Sequence, residues 1–315
     1  MLPVTFETST IAVAQIFAMG AMGFYLVRAG HIQEAGLRLL SFLSVNVFFP
    51  LFIFVQIIRH FDPVHMPFWW NFPLINISLI LVGLSVSSII VARHRHPVKD
   101  AFLSVSALHN AGYIPLLMTM SLAQGPGAGE IYACVIISII GFDTCLWSLG
   151  VWLLTRGKSG RIDFKKMINP PLISMFTAIM FVLILGPGKV PEMVLKPIGI
   201  LGDAAMAVAM IVIGGNLSLA SLHQVKWPQV AGATLIKLLV MPMVTLLVLS
   251  VLKLNPLISF VAILQSTMPS SVTLSIIGRN YESKDQDFIN QTIFVTHLAS
   301  MITIPIFLGI YGKLM

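Results

Sequence analysis

Four ionisable residues lie deep inside long apolar stretches of the sequence: His109, Asp143, Lys237 and His297. A charge near the centre of a bilayer costs roughly 2.5–3.5 kcal/mol on insertion scales, so each side chain is expected to face the protein interior, a partner or water. Histidine and aspartate in such places can take up and release protons, and all four residues are candidates for proton or ion coupling. For the aspartate and the histidines, the alternative is a hydrogen-bonded role in helix packing. For Lys237, the alternative is that its positive charge neutralises Asp203 or Asp143.

Two of the apolar stretches are interrupted by proline at the same depth. About eleven helix-favouring residues precede the segment 109–115 (HNAGYIP), and about eleven precede the segment 266–271 (STMPSS). Proline removes a backbone donor and clashes with the preceding turn, and Gly112 permits non-helical torsions. Unwound backbone at membrane depth is tolerated only where it lines a protein-buried or watery cavity. A packed proline kink is the alternative for either break alone, but the matched pair predicts two broken helices that cross.

The half-helices at such breaks expose free amide hydrogens and partial positive charge, which suits a carboxylate ligand. Neutral polar side chains beside the breaks can orient that ligand. The predicted binding residues in the two breaks are Asn110, Gly112, Pro115, Gln265, Ser266, Pro269, Ser270 and Ser271.

The elements that position these residues follow from the composition. Of the 315 residues, 57% are hydrophobic and 10% are charged, against roughly 25% charged in a soluble domain. A helix needs about 20 apolar residues to cross a bilayer, and the sequence predicts an all-α membrane protein with ten transmembrane helices. The predicted spans are 10–26, 37–58, 72–92, 98–122, 131–154, 170–185, 194–219, 227–252, 256–277 and 288–310. No metal-ligand spacing and no nucleophile, base and orienting group at workable spacing appear, so neither an enzyme nor a cofactor is expected.

Lysine and arginine are distributed unevenly between the predicted loops. Thirteen lie on one side and five on the other, which by the positive-inside rule places both termini outside the cytoplasm; they also explain the net charge of +7 without nucleic acid. The most basic loop falls between spans five and six. The sequence therefore predicts a first five-helix repeat over 1–155, a basic cytoplasmic linker over 156–168 that also serves as a topology anchor, and a second, inverted five-helix repeat over 169–315.

Several motifs resemble the auxin efflux carrier family, which contains plant auxin exporters and bacterial malate or malonate permeases and is related to the bile acid:sodium symporter fold. The motifs, which cover both halves, are HNAGYIPLL, STMPSSVTLSIIGRNY, VTHLASMITIPIF, NPPLIS at 169–174 and IGGNLSL at 213–219. Asn110 and Pro115 match the first crossover of the family, and Pro269 matches the second. Asn46 and Pro50 resemble a polar-then-proline pattern of the family, and they either line the site or kink their helix.

The resemblance implies a mobile transport domain from helices 3–5 and 8–10, beside a scaffold from helices 1–2 and 6–7 that forms a homodimer. His109 replaces a residue that is usually small, Ile114 replaces glycine, and serine or threonine replaces the second asparagine of the plant carriers. These departures point away from auxin and towards another small organic anion.

We therefore expect a secondary active transporter of mono- or dicarboxylates in a cell membrane, such as a bacterial inner membrane, working by alternating access and coupled to H+ or Na+. The alternatives are a sodium-coupled carrier like the bile-acid symporters, and a membrane receptor or channel that does not transport by this mechanism.

Overall fold

The computed structural model describes residues 4–93, 98–125, 127–155, 168–220 and 225–314, and these residues fold into twelve helices. The helices are α1 Phe6–Arg28, α2 Glu34–His60, α3 Asn71–Arg93, α4 Lys99–Ala107, α5 Tyr113–Leu122, α6 Ala128–Thr155, α7 Pro170–Leu185, α8 Glu192–Ser218, α9 Trp227–Leu252, α10 Pro256–Ser266, α11 Thr273–Asn280 and α12 Gln286–Leu314.

Seven of these helices are long and apolar enough to cross a membrane: α1, α2, α3, α6, α8, α9 and α12. Three more, α5, α7 and α10, are apolar but shorter. The prediction of a helical, multi-pass membrane chain is confirmed. The count of ten spans and their arrangement as inverted repeats stay predictions. The predicted linker lies outside the described residues except for Ile168.

Each of the two proline-containing stretches consists of two short helices. The helix α4 ends at Ala107 and α5 begins at Tyr113, while α10 ends at Ser266 and α11 begins at Thr273. The residue before α5, Gly112, has φ −105° and ψ −87°, outside the helical region. The non-helical segments 108–112 and 267–272 are called here the first and second crossing segments.

Three long helices contain a π-helical turn: α2 at Ser44–Phe48, α6 at Leu146–Gly150 and α9 at Ile236–Val240. In α2 and α9 a proline comes two residues after the turn, Pro50 and Pro242. Proline has no N–H to donate to the carbonyl four residues earlier, and its ring clashes with that carbonyl. The helix therefore widens, and the amide of the residue before each proline donates to the carbonyl five residues earlier. Such turns are frequent at functional sites.

The helices pack into one continuous body. The helix α1 packs along α8, and α2 packs against α7 and α8; separately, α3 packs against α4 and α6, and α9 packs against α12. Small residues permit the close approach of α1 and α8, because a Cβ on Gly214 would overlap the backbone of Gly20. Both cysteines, Cys134 and Cys145, are buried and free.

Candidate functional site

The two crossing segments run antiparallel and hydrogen-bond to each other. The amide of Asn110 donates to the carbonyl of Pro269 at 2.8 Å, and the amide of Ser271 donates to the carbonyl of Leu108 at 3.0 Å. These two bonds flank the pair His109 and Ser270. Because hydrocarbon offers backbone groups no partner, each broken stretch supplies partners that the other has lost.

Two helices begin at this crossing without a side-chain cap. Gly112 precedes α5 and Val272 precedes α11, and neither N-terminus receives a hydrogen bond from a capping side chain. The residues at both starts line the same cavity. The positive ends of two helix dipoles therefore converge on one space, which is an arrangement that favours a negatively charged group.

The cavity beside the crossing has a volume of about 440 Å³, within the range of roughly 300–1,000 Å³ that is typical of small-molecule sites. Helices α2, α6, α8 and α11 and the first crossing segment contribute to its wall. Five of the predicted site residues line it: Asn46, Asn110, Gly112, Asp143 and Ser271. Sequence reasoning did not single out the other polar lining residues, which include Ser44, Tyr113, Asn169, Asn216 and Asn280.

Two of the predicted residues belong instead to a buried network behind the crossing. His109 is fully buried, and its Nε2 lies 3.0 Å from Oδ1 of Asn76 on α3. Gln265 donates from Nε2 to the carbonyl of Ala111 and to Oγ of Ser138, both at 3.1 Å. Asn76 in turn donates to the Ser138 carbonyl at 2.8 Å. The network connects α3, α6 and α10 to the first crossing segment, and it gives both residues a structural task.

The remaining residues of the second break also make internal contacts. Ser270 donates from Oγ to the carbonyl of Val105 at 2.6 Å, and its amide donates to Oγ1 of Thr296 at 3.3 Å. Ser266 donates to the carbonyl of Ile263 in its own helix. These serines, with Pro115 and Pro269, do not line the cavity. Ser270 and Pro269 instead make hydrogen bonds to the first broken stretch, which borders the cavity.

Lys237 is only 1% exposed and lies in the π-helical turn of α9. Its ammonium donates to the carbonyl of Ala107, the last residue of α4, at 3.4 Å. No described ion pair joins it to Asp203, which is exposed, or to Asp143. The geometry favours the structural interpretation of this lysine, with a partner that the sequence did not indicate: the negative end of the α4 dipole.

Asp143 lies on the cavity wall, where Nδ2 of Asn169 donates to its Oδ2 at 3.1 Å. Asn169 also caps α7, because its Oδ1 accepts from the amide of Leu172 at 2.9 Å. A second contact across the cavity joins Oγ of Ser44 to the phenol of Tyr113 at 3.3 Å. Both contacts connect α2 or α7 with elements next to the crossing.

His297 lies away from this cavity. Its Nδ1 lies 2.8 Å from the carbonyl of Ile293 in its own helix. The side chain borders a separate, largely apolar cavity of about 330 Å³ between α1, α8 and α12. The structure therefore does not bring His297 together with the other three ionisable residues proposed for coupling.

The apolar helices define a class of protein, a helical membrane protein, and the cavity beside the two crossing segments is its candidate small-molecule site. The family model described as "Membrane transport protein" matches residues 8–164 and 159–308, so the chain belongs to that family of transporters. The prediction of an auxin efflux carrier-like transporter rather than an enzyme is confirmed at this level.

Two archaeal proteins are similar over nearly their whole length. An uncharacterized transporter of Methanocaldococcus jannaschii is 24% identical over 294 residues, which cover 90% of this chain and 93% of the relative. An uncharacterized transporter of Methanothermobacter thermautotrophicus is 24% identical over 315 residues, which cover 96% and 98%.

Proposed function

We propose that this protein is a secondary active transporter of small organic anions, mono- or dicarboxylates, and that it works by alternating access. The observation that carries the proposal is the convergence of two uncapped helix N-termini on one cavity. Asn110 adds an amide side chain at this point and is 6% exposed, so it can orient a carboxylate without bringing a charge of its own.

In this proposal α7 is an eighth span beside the seven long helices, and α4 with α5 and α10 with α11 are two interrupted spans, which brings the total to ten. Their mutual backbone pairing supports this interpretation, because it lets irregular backbone exist at membrane depth. The two halves are then inverted repeats, with the substrate near the bilayer midplane at their interface.

The position of the cavity supports a particular state of the cycle. Its wall uses the first half of α2, the second half of α6, the start of α7, the end of α8 and α11. With both termini outside, all of these are cytoplasmic halves. Residues on the other side of the crossing, such as Leu116, Met118 and Ile263, are fully buried. We infer an inward-facing state, which outward movement of the transport domain converts to the opposite one.

The scaffold of this proposal consists of α1, α2, α7 and α8, which pack on one another. One face of α7 presents Ile173, Met180 and Ile184, which are 52%, 52% and 72% exposed. These residues are spaced at about two turns and one turn of helix, so they form one apolar stripe. We propose that this stripe contributes to a homodimer, which cross-linking between α7 helices in native membranes tests directly.

Uptake of labelled malonate and acetate into proteoliposomes tests the transport proposal. Asn110→Ala and Pro115→Leu are expected to abolish saturable uptake while the protein remains folded by size-exclusion chromatography. Asn71→Ala, at the start of α3 and outside the cavity wall, is the matched control and is expected to transport normally.

Full activity in both crossing variants would contradict the proposed site. Replacing sodium with potassium distinguishes the coupling ions, since uptake that requires sodium would support the carrier like the bile-acid symporters. Binding without flux, or flux at channel rates, would support a receptor or a channel instead.

A further inference from the structure

We propose that Asp143 is the coupling residue of this transporter, and that an organic anion occupies the crossing cavity only together with a proton on the Asp143 carboxyl. Proton and anion then move in the same direction. This inference rests on the proposed function and adds to it the coupling ion and the residue that carries it.

The charge of the cavity wall determines how favourably an anion binds there. Among the described residues that line the cavity, Asp143 is the one carboxylic acid; the wall otherwise has amides, hydroxyls, Trp147 and apolar groups, with no lysine, arginine or histidine. Whenever this carboxyl is ionised, a carboxylate ligand brings a second negative charge into the same space. Like charges in one site disfavour each other, and neutralising the first favours the second.

Within the part of the chain that the structure describes, no cationic side chain forms an ion pair with Asp143. Asn169 offers it a neutral amide hydrogen, and because Oδ1 of that asparagine is engaged by the Leu172 amide, its Nδ2 is the group that meets the carboxyl. The Tyr113 phenol on α5 is a titratable side chain that lines the same cavity.

The other titratable groups on Asp143's helix are Glu130, Tyr132, Cys134 and Cys145. On the described helices packed against it they are Glu34, Arg38, Arg59 and His60 on α2, Lys99 and Asp100 on α4, and Arg279 on α11, and behind the crossing they are His109 and Lys237. None of these side chains lines the cavity.

The structure also separates Asp143 from the other coupling candidates. His109 is held by Asn76, Lys237 by a backbone carbonyl, and His297 borders a different cavity. Asp143 alone among the four lines the space in which the anion is proposed to bind. A proton on any of the other three is therefore less directly linked to occupancy of that space.

On one side of the membrane, the Asp143 carboxylate binds a proton from solution and the cavity binds the anion. After the transport domain moves, the proton and the anion are released on the other side. One proton with a monocarboxylate is electroneutral, whereas one proton with a dicarboxylate carries one net negative charge. Because binding linkage is reciprocal, the anion raises the proton affinity of the carboxyl as much as the proton raises the affinity for the anion.

The test uses Asp143→Asn, whose amide has the shape of a protonated carboxyl and cannot titrate. Labelled malonate and acetate are the probes, and both binding to detergent-purified protein and uptake into proteoliposomes under an imposed pH gradient are measured. For the wild type, anion affinity is expected to fall by up to tenfold per pH unit above the titration of the carboxyl. A lower pH outside the proteoliposomes than inside is expected to drive accumulation of the labelled anion inside, and a protonophore is expected to abolish that accumulation.

In Asp143→Asn, anion affinity is expected to be independent of pH, and the pH gradient is expected to drive no accumulation. Asp143→Glu keeps a titrating carboxyl and is expected to retain both the pH dependence and the accumulation. Asp203→Asn, which removes an exposed carboxylate outside the cavity wall, is the matched control and is expected to behave as the wild type.

Accumulation driven by the pH gradient in Asp143→Asn would overturn the inference, and so would complete loss of anion binding in a folded Asp143→Asn protein. Failure of Asp143→Glu to couple, with binding intact, would also count against it. If the wild type itself moves neither carboxylate, the proposed function fails, and that outcome is distinct from carboxylate transport that persists without proton coupling.

Discussion

Substitution of Gln265 tests whether the buried network of His109, Asn76, Ser138 and Gln265 is structural. The position of Gln265 beside the second break suggests substrate binding, whereas its contacts indicate a structural role. Gln265→Ala removes two hydrogen bonds, to the carbonyl of Ala111 and to Oγ of Ser138. At the average of about 0.6 kcal/mol measured for such bonds within membranes, the loss is about 1.2 kcal/mol. A buried carbonyl left unpaired adds about 1–3 kcal/mol, so we expect destabilisation of about 2–4 kcal/mol.

Reversible unfolding in mixed micelles with increasing dodecyl sulfate measures this change. Gln124→Ala is the matched control, because Gln124 is exposed and makes a single long hydrogen bond of 3.5 Å to Ser121; it is expected to change stability by less than about 0.5 kcal/mol. The KM for carboxylate is expected to stay the same in both variants under conditions where they are folded. A raised KM with unchanged stability in Gln265→Ala would refute the structural role and place this side chain in the binding site.

Three further predictions concern other contacts. Lys237→Met removes the ammonium from the carboxyl end of α4 and is expected to destabilise the fold by about 0.5–2 kcal/mol in the same unfolding assay; no loss of stability would contradict the contact with Ala107. Gly83→Leu is expected to cost about 1–3 kcal/mol by overpacking, because even a Cβ there would lie 3.0 Å from the Cα of Ala107; wild-type stability would contradict that close approach. In the loop after α2, the hydrogen bond that the His65 ring donates to the Asp62 carboxylate raises the pKa of His65 above its ordinary 6.5, and the same bond lowers the pKa of Asp62. The pair therefore stabilises the loop between the two titrations and is lost as pH rises through the raised histidine value or falls through the lowered aspartate value; NMR titration should show the His65 pKa falling in Asp62→Asn, and an unchanged pKa would contradict the pair.

Much of the fold follows from local sequence patterns. Apolar stretches of sufficient length mark α1, α2, α3, α6, α8, α9 and α12 within a few residues of their ends, because burial in hydrocarbon forces continuous hydrophobicity. The breaks after α4 and α10 are also predictable from the sequence, since Pro115 and Pro269 each remove a backbone donor and clash with the preceding turn, and Gly112 permits non-helical torsions. The π-helical turns before Pro50 and Pro242 arise from the same property, although the sequence alone does not distinguish a π turn from a kink.

The contacts that complete the site are not local, and for that reason the sequence pattern does not contain them. Whether His109 faces the cavity or Asn76 depends on the rotation of α3 against the first crossing segment. Asn76 is a polar amide within a long apolar helix, and a polar residue in such a position is a sequence feature that could have identified it as a partner of His109. Thr296 and Ser138 have no such distinguishing feature, because the hydroxyls of threonine and serine can donate to a carbonyl in the preceding turn of their own helix, as both do here.

We propose that a small organic anion crosses the membrane through the cavity at the crossing segments, and a counterflow assay tests this directly. Proteoliposomes loaded with unlabelled malonate or acetate are placed in a trace of the same labelled anion. We expect transient, saturable accumulation of label that an excess of external unlabelled anion abolishes, and no such accumulation with Asn110→Ala. Absence of counterflow for both anions in a folded wild-type protein, or the same counterflow in the Asn110 variant, would contradict it.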